Sequence, residues 1–200
     1  MAGLFQPAAG VPGGAAVALD EVEISILRSL AVQLLELIGP GPGADEAGGE
    51  QDPLAALMAD GPTEPPSDPA LARLFPDAYG GPGAGVDEKT REAAAEFRRY
   101  TENDLRARKR EDGLAVVRAL DSLAPAGEGG AVLTLTPEQS RRWLGALNDL
   151  RLAIGARLEI ADDEDGDELY ALPGGPRKPM VMAYLWLGAL QESLVETLAP

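Results

Sequence analysis

Residues 143–149 read Trp-Leu-Gly-Ala-Leu-Asn-Asp, and residues 186–192 repeat this pattern as Trp-Leu-Gly-Ala-Leu-Gln-Glu. The two copies contain the only tryptophans of the chain. Each copy predicts a helix with a large aromatic anchor, a Gly-Ala face that another backbone approaches closely, and an amide–acid pair about one turn later. The repeat therefore predicts two related, packed helices, and it indicates architecture more than chemistry.

Helix-start signals divide the rest of the chain. Two segments begin with the pattern of a capping box, in which an N-cap side chain and a side chain three residues later satisfy backbone donors reciprocally. The pairs are Asp20 with Glu23 and Thr136 with Gln139. Apolar spacing, proline and glycine give the other boundaries. The predicted helices cover residues 20–38, 68–75, 87–123, 136 to about 155–158, and 180–198.

Residues 15–19 and 131–135 alternate like short strands directly before the two capped helices. The longer segments 13–39 and 129–155 align without a gap, and both capping boxes coincide. Two explanations account for this match equally well: a duplication, or chance together with the sequence preferences that all capped helices share. A duplication predicts two strand–helix units related by a pseudo-two-fold repeat, with the long helix and the last helix as their partners.

The predicted fold class is all-α, a mainly helical domain with one short β-hairpin or strand pair at most. We expect a single helical domain over residues 13–200. Residues 1–12 are expected to be a flexible N-terminus, and residues 40–66 a Pro/Gly-rich acidic linker within the domain.

Composition narrows the possible functions. The chain carries a net charge of −16, which repels phosphate backbones and argues against direct nucleic-acid binding. It contains no cysteine and no histidine, so thiol chemistry and imidazole catalysis are excluded. The apolar run 180–190 is too short for a bilayer. With no secretory signal visible, we expect a cytoplasmic protein without a membrane segment.

No pattern indicates an enzyme, a cofactor site or a metal site. Residues 162–168 are rich in acids, but they lack the ligand spacing of an EF-hand, so a solvated acidic loop is favoured over a calcium site. The glycine-rich stretches match neither a P-loop nor a dinucleotide-binding motif. In segment 87–112, acids alternate with the basic residues, which favours a solvated, ion-paired face over a basic patch at 106–110.

The polar residues inside the repeated segments are the candidate site. One interpretation is a semi-buried ion-pair network of Asp149 and Glu192 with Arg151 and Arg157, which would fix helix register. The other is a partner-binding surface with Trp and Arg anchors. The candidate residues are Trp143, Asn148, Asp149, Arg151, Arg157, Trp186, Gln191 and Glu192.

Four segments together resemble one protein family. They are residues 68–79, 95–109, 143–158 and 184–195, and the run at 143–158 is the most specific. The pattern resembles an actinobacterial family of unknown function that includes an oxidative-stress transcriptional regulator. The likeness covers most of the chain outside residues 40–66 and 80–86.

This resemblance implies a non-enzymatic regulator of stress-responsive transcription that contacts a protein partner, such as a sigma factor or RNA polymerase. The alternative is an adaptor or scaffold in proteolysis or sulfur metabolism. Self-association as a homodimer is a further expectation. Because cysteine is absent, only methionines such as Met58, Met180 and Met182 offer reversible oxidation, and the last two are expected in the core.

Overall fold

The structure, a computed structural model, describes residues 3–40, 60–80, 85–123, 130–160, 175 and 177–199. These residues form an antiparallel sheet in the order β1–β2–β3, with β1 Gln6–Pro7, β2 Ala15–Asp20 and β3 Gly130–Leu135. The helices are α1 Glu21–Ile38, α2 Pro69–Leu74, α3 Glu88–Asp121, α4 Pro137–Leu158 and α5 Lys178–Leu198. The prediction of a mainly helical domain with a short strand pair is confirmed.

The two central strands and the helix starts that follow them form as predicted. Strand β2 pairs with β3 from Ala15 opposite Leu135 to Asp20 opposite Gly130. Both capping boxes are present, so each strand turns directly into a helix whose first backbone donors are satisfied. Because the strands are antiparallel, the two strand–helix units start at opposite ends of the pair.

The helices pack in the predicted partnership. Helix α1 lies along α3, and α4 lies along α5, while α4 also contacts α3 and α2. Their buried apolar residues join those of the sheet in one continuous core. This arrangement agrees with two strand–helix units that each have a partner helix, and their origin by duplication stays a prediction. None of the helices in the described ranges has the length and apolar character needed to span a bilayer.

The N-terminal segment is ordered against the core, so the expectation of a flexible lead-in is wrong for Phe5 to Pro7. Phe5 is 4% exposed, and its ring meets that of Trp143 edge to face at 6.1 Å between centroids. Its backbone N–H donates to Oγ of Ser193 at 3.1 Å. A two-residue strand has no periodicity, which is why the sequence pattern gave no sign of it.

Three of the basic residues at 106–110, Arg106, Lys109 and Arg110, dock α3 onto its neighbours, and only Arg108 is exposed as the predicted solvated face requires. Arg106 donates to the carbonyl oxygen of Ile38 at 2.8 Å, and Arg110 donates to the carbonyls of Leu35 and Gly39. These carbonyls lie at the C-terminus of α1, where a helix has unpaired acceptors and a partial negative charge. The two arginines therefore cap α1 from the side of α3.

Replacing Phe5 tests whether the N-terminal segment is part of the fold. We expect Phe5→Ala to lower the free energy of unfolding by about 3 kcal/mol, because it removes a buried aromatic ring from the core. Leu4→Ala is the matched control, since Leu4 is 49% exposed, and it should change stability by less than about 0.5 kcal/mol. Urea denaturation followed by tryptophan fluorescence measures both, and equal effects would show that the segment is not packed.

Candidate partner-binding surface

The two tryptophans of the repeated segment lie in different environments. Trp143 is 1% exposed and belongs to the core. Trp186 is half-buried, and its indole N–H is covered without a hydrogen-bond partner among the described residues. Only Trp186 is thus placed at a surface where another molecule can reach the side chain.

Charged side chains, not backbone atoms, lie closest to the glycines of the repeated segment. The expectation that another backbone approaches these glycines is therefore wrong. A Cβ atom at Gly145 would lie 2.8 Å from Oδ2 of Asp112, and one at Gly188 would lie 3.5 Å from Nε of Arg151. Gly145 leaves room for Asp112 that a Cβ atom would take, whereas a Cβ atom at Gly188 would make an ordinary contact with Arg151. The shared sequence pattern therefore reflects two similar helix–helix contacts.

The predicted ion-pair network does not form. Asp149 pairs with Lys109 of α3 at 2.5 Å, and Arg157 pairs with Asp68, the N-cap of α2, at 2.8 Å. Glu192 is exposed. Two residues two positions apart on a helix point about 200° away from each other. Asp149 and Arg151 consequently face different neighbouring helices and cannot share partners.

Arg151 fastens α4 to α5 through uncharged groups. It donates to Oε1 of Gln191 at 2.7 Å, and its guanidinium lies over the ring of Tyr184, 5.1 Å from the centroid. Gln191 in turn donates to Oδ1 of Asn148 at 3.4 Å. Three of the candidate residues are therefore brought together beside a cleft of about 950 Å³ between α2, α4 and α5. In the described ranges, Arg151 has no carboxylate partner.

Two carboxyl groups between α3 and α4 are held in an environment that disfavours their charge. Burial raises the pKa of Asp149, and the contact with Lys109 opposes that shift. Burial also raises the pKa of Asp112, against the attraction of Arg108 and Arg142. Since Lys109 is the only cation bonded to Asp149 in the part of the chain that the structure describes, this pair positions the two helices.

An open apolar groove of about 920 Å³ lies between α1, α4 and α5. Its volume is within the range of ligand-binding pockets. Glu23, Gln33 and Arg157 provide the polar atoms at its edge. Its apolar walls are formed by Ile26, Leu30, Leu34 and Leu37 of α1, Leu150, Ala153 and Ile154 of α4, and Pro179, Met180, Met182, Ala183 and Trp186 of α5.

Two methionines that were expected in the core line this groove instead. Met180 is 41% exposed and Met182 is 57% exposed, whereas Val181 between them is buried. The apolar run 180–190 suggested burial on all sides, but only one stripe of α5 packs against α4. The sequence analysis likewise did not identify Ile26 of α1 as an exposed residue of the groove. Its exposure could have been predicted, because Ile26 lies outside the stripe of apolar residues that α1 buries.

No cluster of three or more acidic residues suited to a metal ion occurs within the described ranges. The acidic segment 162–168, and with it the question of a calcium site, lies outside those ranges. The described part of the chain is a mainly helical domain with an apolar groove on its surface.

The chain belongs to the family described as a domain of unknown function, DUF2017, whose model matches residues 5–198. It is 31% identical over 179 residues to the oxidative stress regulators AosR of Mycobacterium tuberculosis and Mycobacterium bovis, covering 86% of this chain and 77% of each relative. It is 33% identical over the same length to a putative oxidative stress regulator AosR of Mycobacterium leprae, with the same coverage. No solved structure matches the chain.

These findings confirm the family resemblance seen in the sequence. The names of the relatives describe regulators rather than enzymes. They name neither a partner nor a mechanism.

Removing Lys109 tests the buried pair. Lys109→Met should lower the free energy of unfolding by about 3 kcal/mol at pH 8, because it leaves a buried carboxylate without its cation. Without Lys109 the folded-state pKa of Asp149 rises further above its unfolded value of about 3.9. A carboxyl group whose pKa is higher in the folded state contributes its full stabilisation when the pH is below the unfolded-state pKa. That contribution is lost as the pH rises through the folded-state pKa. The deficit should therefore shrink toward pH 4.

The double variant Lys109→Met/Asp149→Asn provides the control, because it has no carboxyl group to titrate at position 149. Its stability difference from the wild type should depend less on pH than that of the single variant. Urea unfolding at pH 4, 6 and 8 makes the comparison. A deficit of Lys109→Met that stays constant over this range would contradict the assigned role of the pair.

Proposed function

We propose that this chain is a regulatory protein that adjusts stress-responsive transcription by binding a sigma factor or RNA polymerase in the apolar groove. The observation that carries the proposal is the groove itself. Ile26, Met180 and Met182 are each at least two-fifths exposed and line one continuous surface. Contiguous apolar surface on a soluble domain marks binding sites for proteins or other ligands.

The dimensions of the groove suit a helical segment of the partner. The lining residues of α1 run from Glu23 to Leu37, a span of about 20 Å at 1.5 Å per residue. An amphipathic helix of about four turns matches that length and would place its apolar face against the walls. The flexible thioethers of Met180 and Met182 adapt to partner side chains more readily than branched side chains do.

Charge favours a protein partner over nucleic acid. A chain of net charge −16 repels phosphate groups, whereas it attracts a partner segment with basic residues beside its apolar face. The acidic rim residue Glu23 lies within the first turn of α1, and the basic rim residue Arg157 is already paired with Asp68. We therefore propose a helix with basic flanks as the occupant of the groove.

The names of the relatives support the regulatory role. The relatives named as oxidative stress regulators are 31–33% identical to this chain over most of its length, which supports a role in regulating the response to oxidative stress. The adaptor role in proteolysis or sulfur metabolism predicts different partners on the same surface. The experiment below separates the two by the identity of what is bound.

A charge placed in the groove should remove the partner without unfolding the protein. We expect Ile26→Lys to abolish recovery of sigma factor and polymerase from native lysate, as read by mass spectrometry after affinity capture. Leu105→Lys is the matched control, because Leu105 of α3 is similarly exposed, at 38% against 41% for Ile26. Both variants should keep the unfolding free energy of the wild type within about 0.5 kcal/mol.

Three results would contradict the proposal. Capture of protease or biosynthetic components alone would favour the adaptor. Loss of the partner with Leu105→Lys and not with Ile26→Lys would place binding on α3. Light scattering that shows a dimer for the wild type and a monomer for Ile26→Lys, with no polymerase component captured, would assign the groove to a second copy of the chain.

A further inference from the structure

We propose that Met180 and Met182 form a reversible oxidation site through which peroxide closes the groove to apolar occupants. The inference rests on the proposed function only in taking the groove as the binding surface. It adds that the two methionines are converted to sulfoxides, that peroxides are the oxidants, and that binding of apolar occupants is lost. Hydrogen peroxide and alkyl peroxides are the oxidants that this chemistry takes.

Access to the two side chains does not require the protein to open. Met180 and Met182 are 41% and 57% exposed in the folded chain. Val181, between them, is buried, so it holds this turn of α5 against the core while its neighbours face the groove. Both side chains are therefore open to an oxidant in solution without unfolding.

The chemistry is a two-electron oxygen transfer. A lone pair of the thioether sulfur attacks one oxygen of hydrogen peroxide, the O–O bond breaks and an S–O bond forms. The released hydroxide takes up the remaining proton of the transferred oxygen, so the products are a sulfoxide and water. The sulfur is oxidised and the peroxide is reduced. A dithiol-dependent reductase returns the sulfoxide to the thioether, with its two thiols forming a disulfide and the oxygen leaving as water.

The groove is where such a change has the largest effect. Each sulfoxide replaces a polarizable apolar sulfur with a strong dipole and a hydrogen-bond acceptor. The wall residues Ile26, Ala183 and Pro179 have no side-chain donor. Of the donors that line the groove, Gln33 and Arg157 already donate to Ser29 and Asp68, and the indole N–H of Trp186 is covered. An apolar occupant would therefore bury the new oxygen without a hydrogen bond.

The chain has no cysteine that could react in place of these residues. Of its four methionines, Met1 and Met58 lie outside the described ranges. Within the described ranges, Met180 and Met182 are therefore the methionines that peroxide can oxidise, and both line the groove.

The test uses the 200-residue chain and the neutral apolar dye Nile red, so that it does not depend on the natural partner. Peroxide treatment should add one oxygen at Met180 and at Met182, as read by peptide mass spectrometry. The affinity for Nile red should fall about tenfold, as expected for an unpaired polar group in an apolar site. Treatment with methionine sulfoxide reductases should restore it.

The matched variant is Met180→Leu/Met182→Leu, which keeps an apolar groove without thioethers. It should bind Nile red like the wild type and keep that affinity after peroxide. Three outcomes would overturn the proposal: sulfoxides at both positions with unchanged affinity, an equal loss of affinity in the Leu variant, or no dye binding by either protein.

Partner capture by Ile26→Lys and by the peroxide-treated wild type separates this inference from the proposed function. If Ile26→Lys loses its transcription partner while peroxide leaves partner capture by the wild type unchanged, the oxidation site is wrong and the proposed function stands. If dye binding responds to peroxide as described but no sigma factor or polymerase is captured, the proposed function fails alone.

Discussion

Helix α4 is the element on which the other helices depend, because polar side chains from different sides of it each hold one neighbour. Asp149 reaches Lys109 on α3, Arg151 reaches Gln191 on α5, and Arg157 reaches the N-cap of α2. Apolar contacts supply most of the stabilising free energy of such a core. These polar contacts fix where the helices meet. The Asp149–Lys109 pair is buried, the Arg157–Asp68 pair is partly exposed, and Arg151 contacts the neutral groups of Gln191 and Tyr184.

The groove follows from how α5 is held. Its stripe of Val181, Leu187, Leu190 and Leu194 packs inward, and Arg151 fixes its rotation through Gln191 and Tyr184. With α5 held on that side, its N-terminal half presents methionines and Trp186 toward α1, where no other described element covers them. A surface that is apolar and lies beside fixed helices gives a partner a rigid template, which lowers the ordering cost of binding.

The sequence contains the local signals of this fold, but not the contacts between residues that are far apart in the chain. The capping boxes at Asp20 and Thr136 depend on residues three positions apart, so the pattern contains all the information needed. The strand pair followed from alternation. The partner of Asp149 lies 40 positions away, and Phe5 meets Ser193 across 188 positions, so only the assembled fold identifies them. The groove was missed for a related reason, because an apolar run does not show which of its sides the fold leaves uncovered.

The measurement that tests the central claim most directly is an NMR titration of the protein labelled with 13C at its methionine methyl groups. Purified sigma factor, and separately RNA polymerase holoenzyme, would be added. We predict that the resonances of Met180 and Met182, assigned through their Leu variants, shift or lose intensity before the others as the groove is filled. Resonances of Met180 and Met182 that stay unchanged at saturating concentrations of both proteins would contradict the claim that the groove binds the transcription machinery.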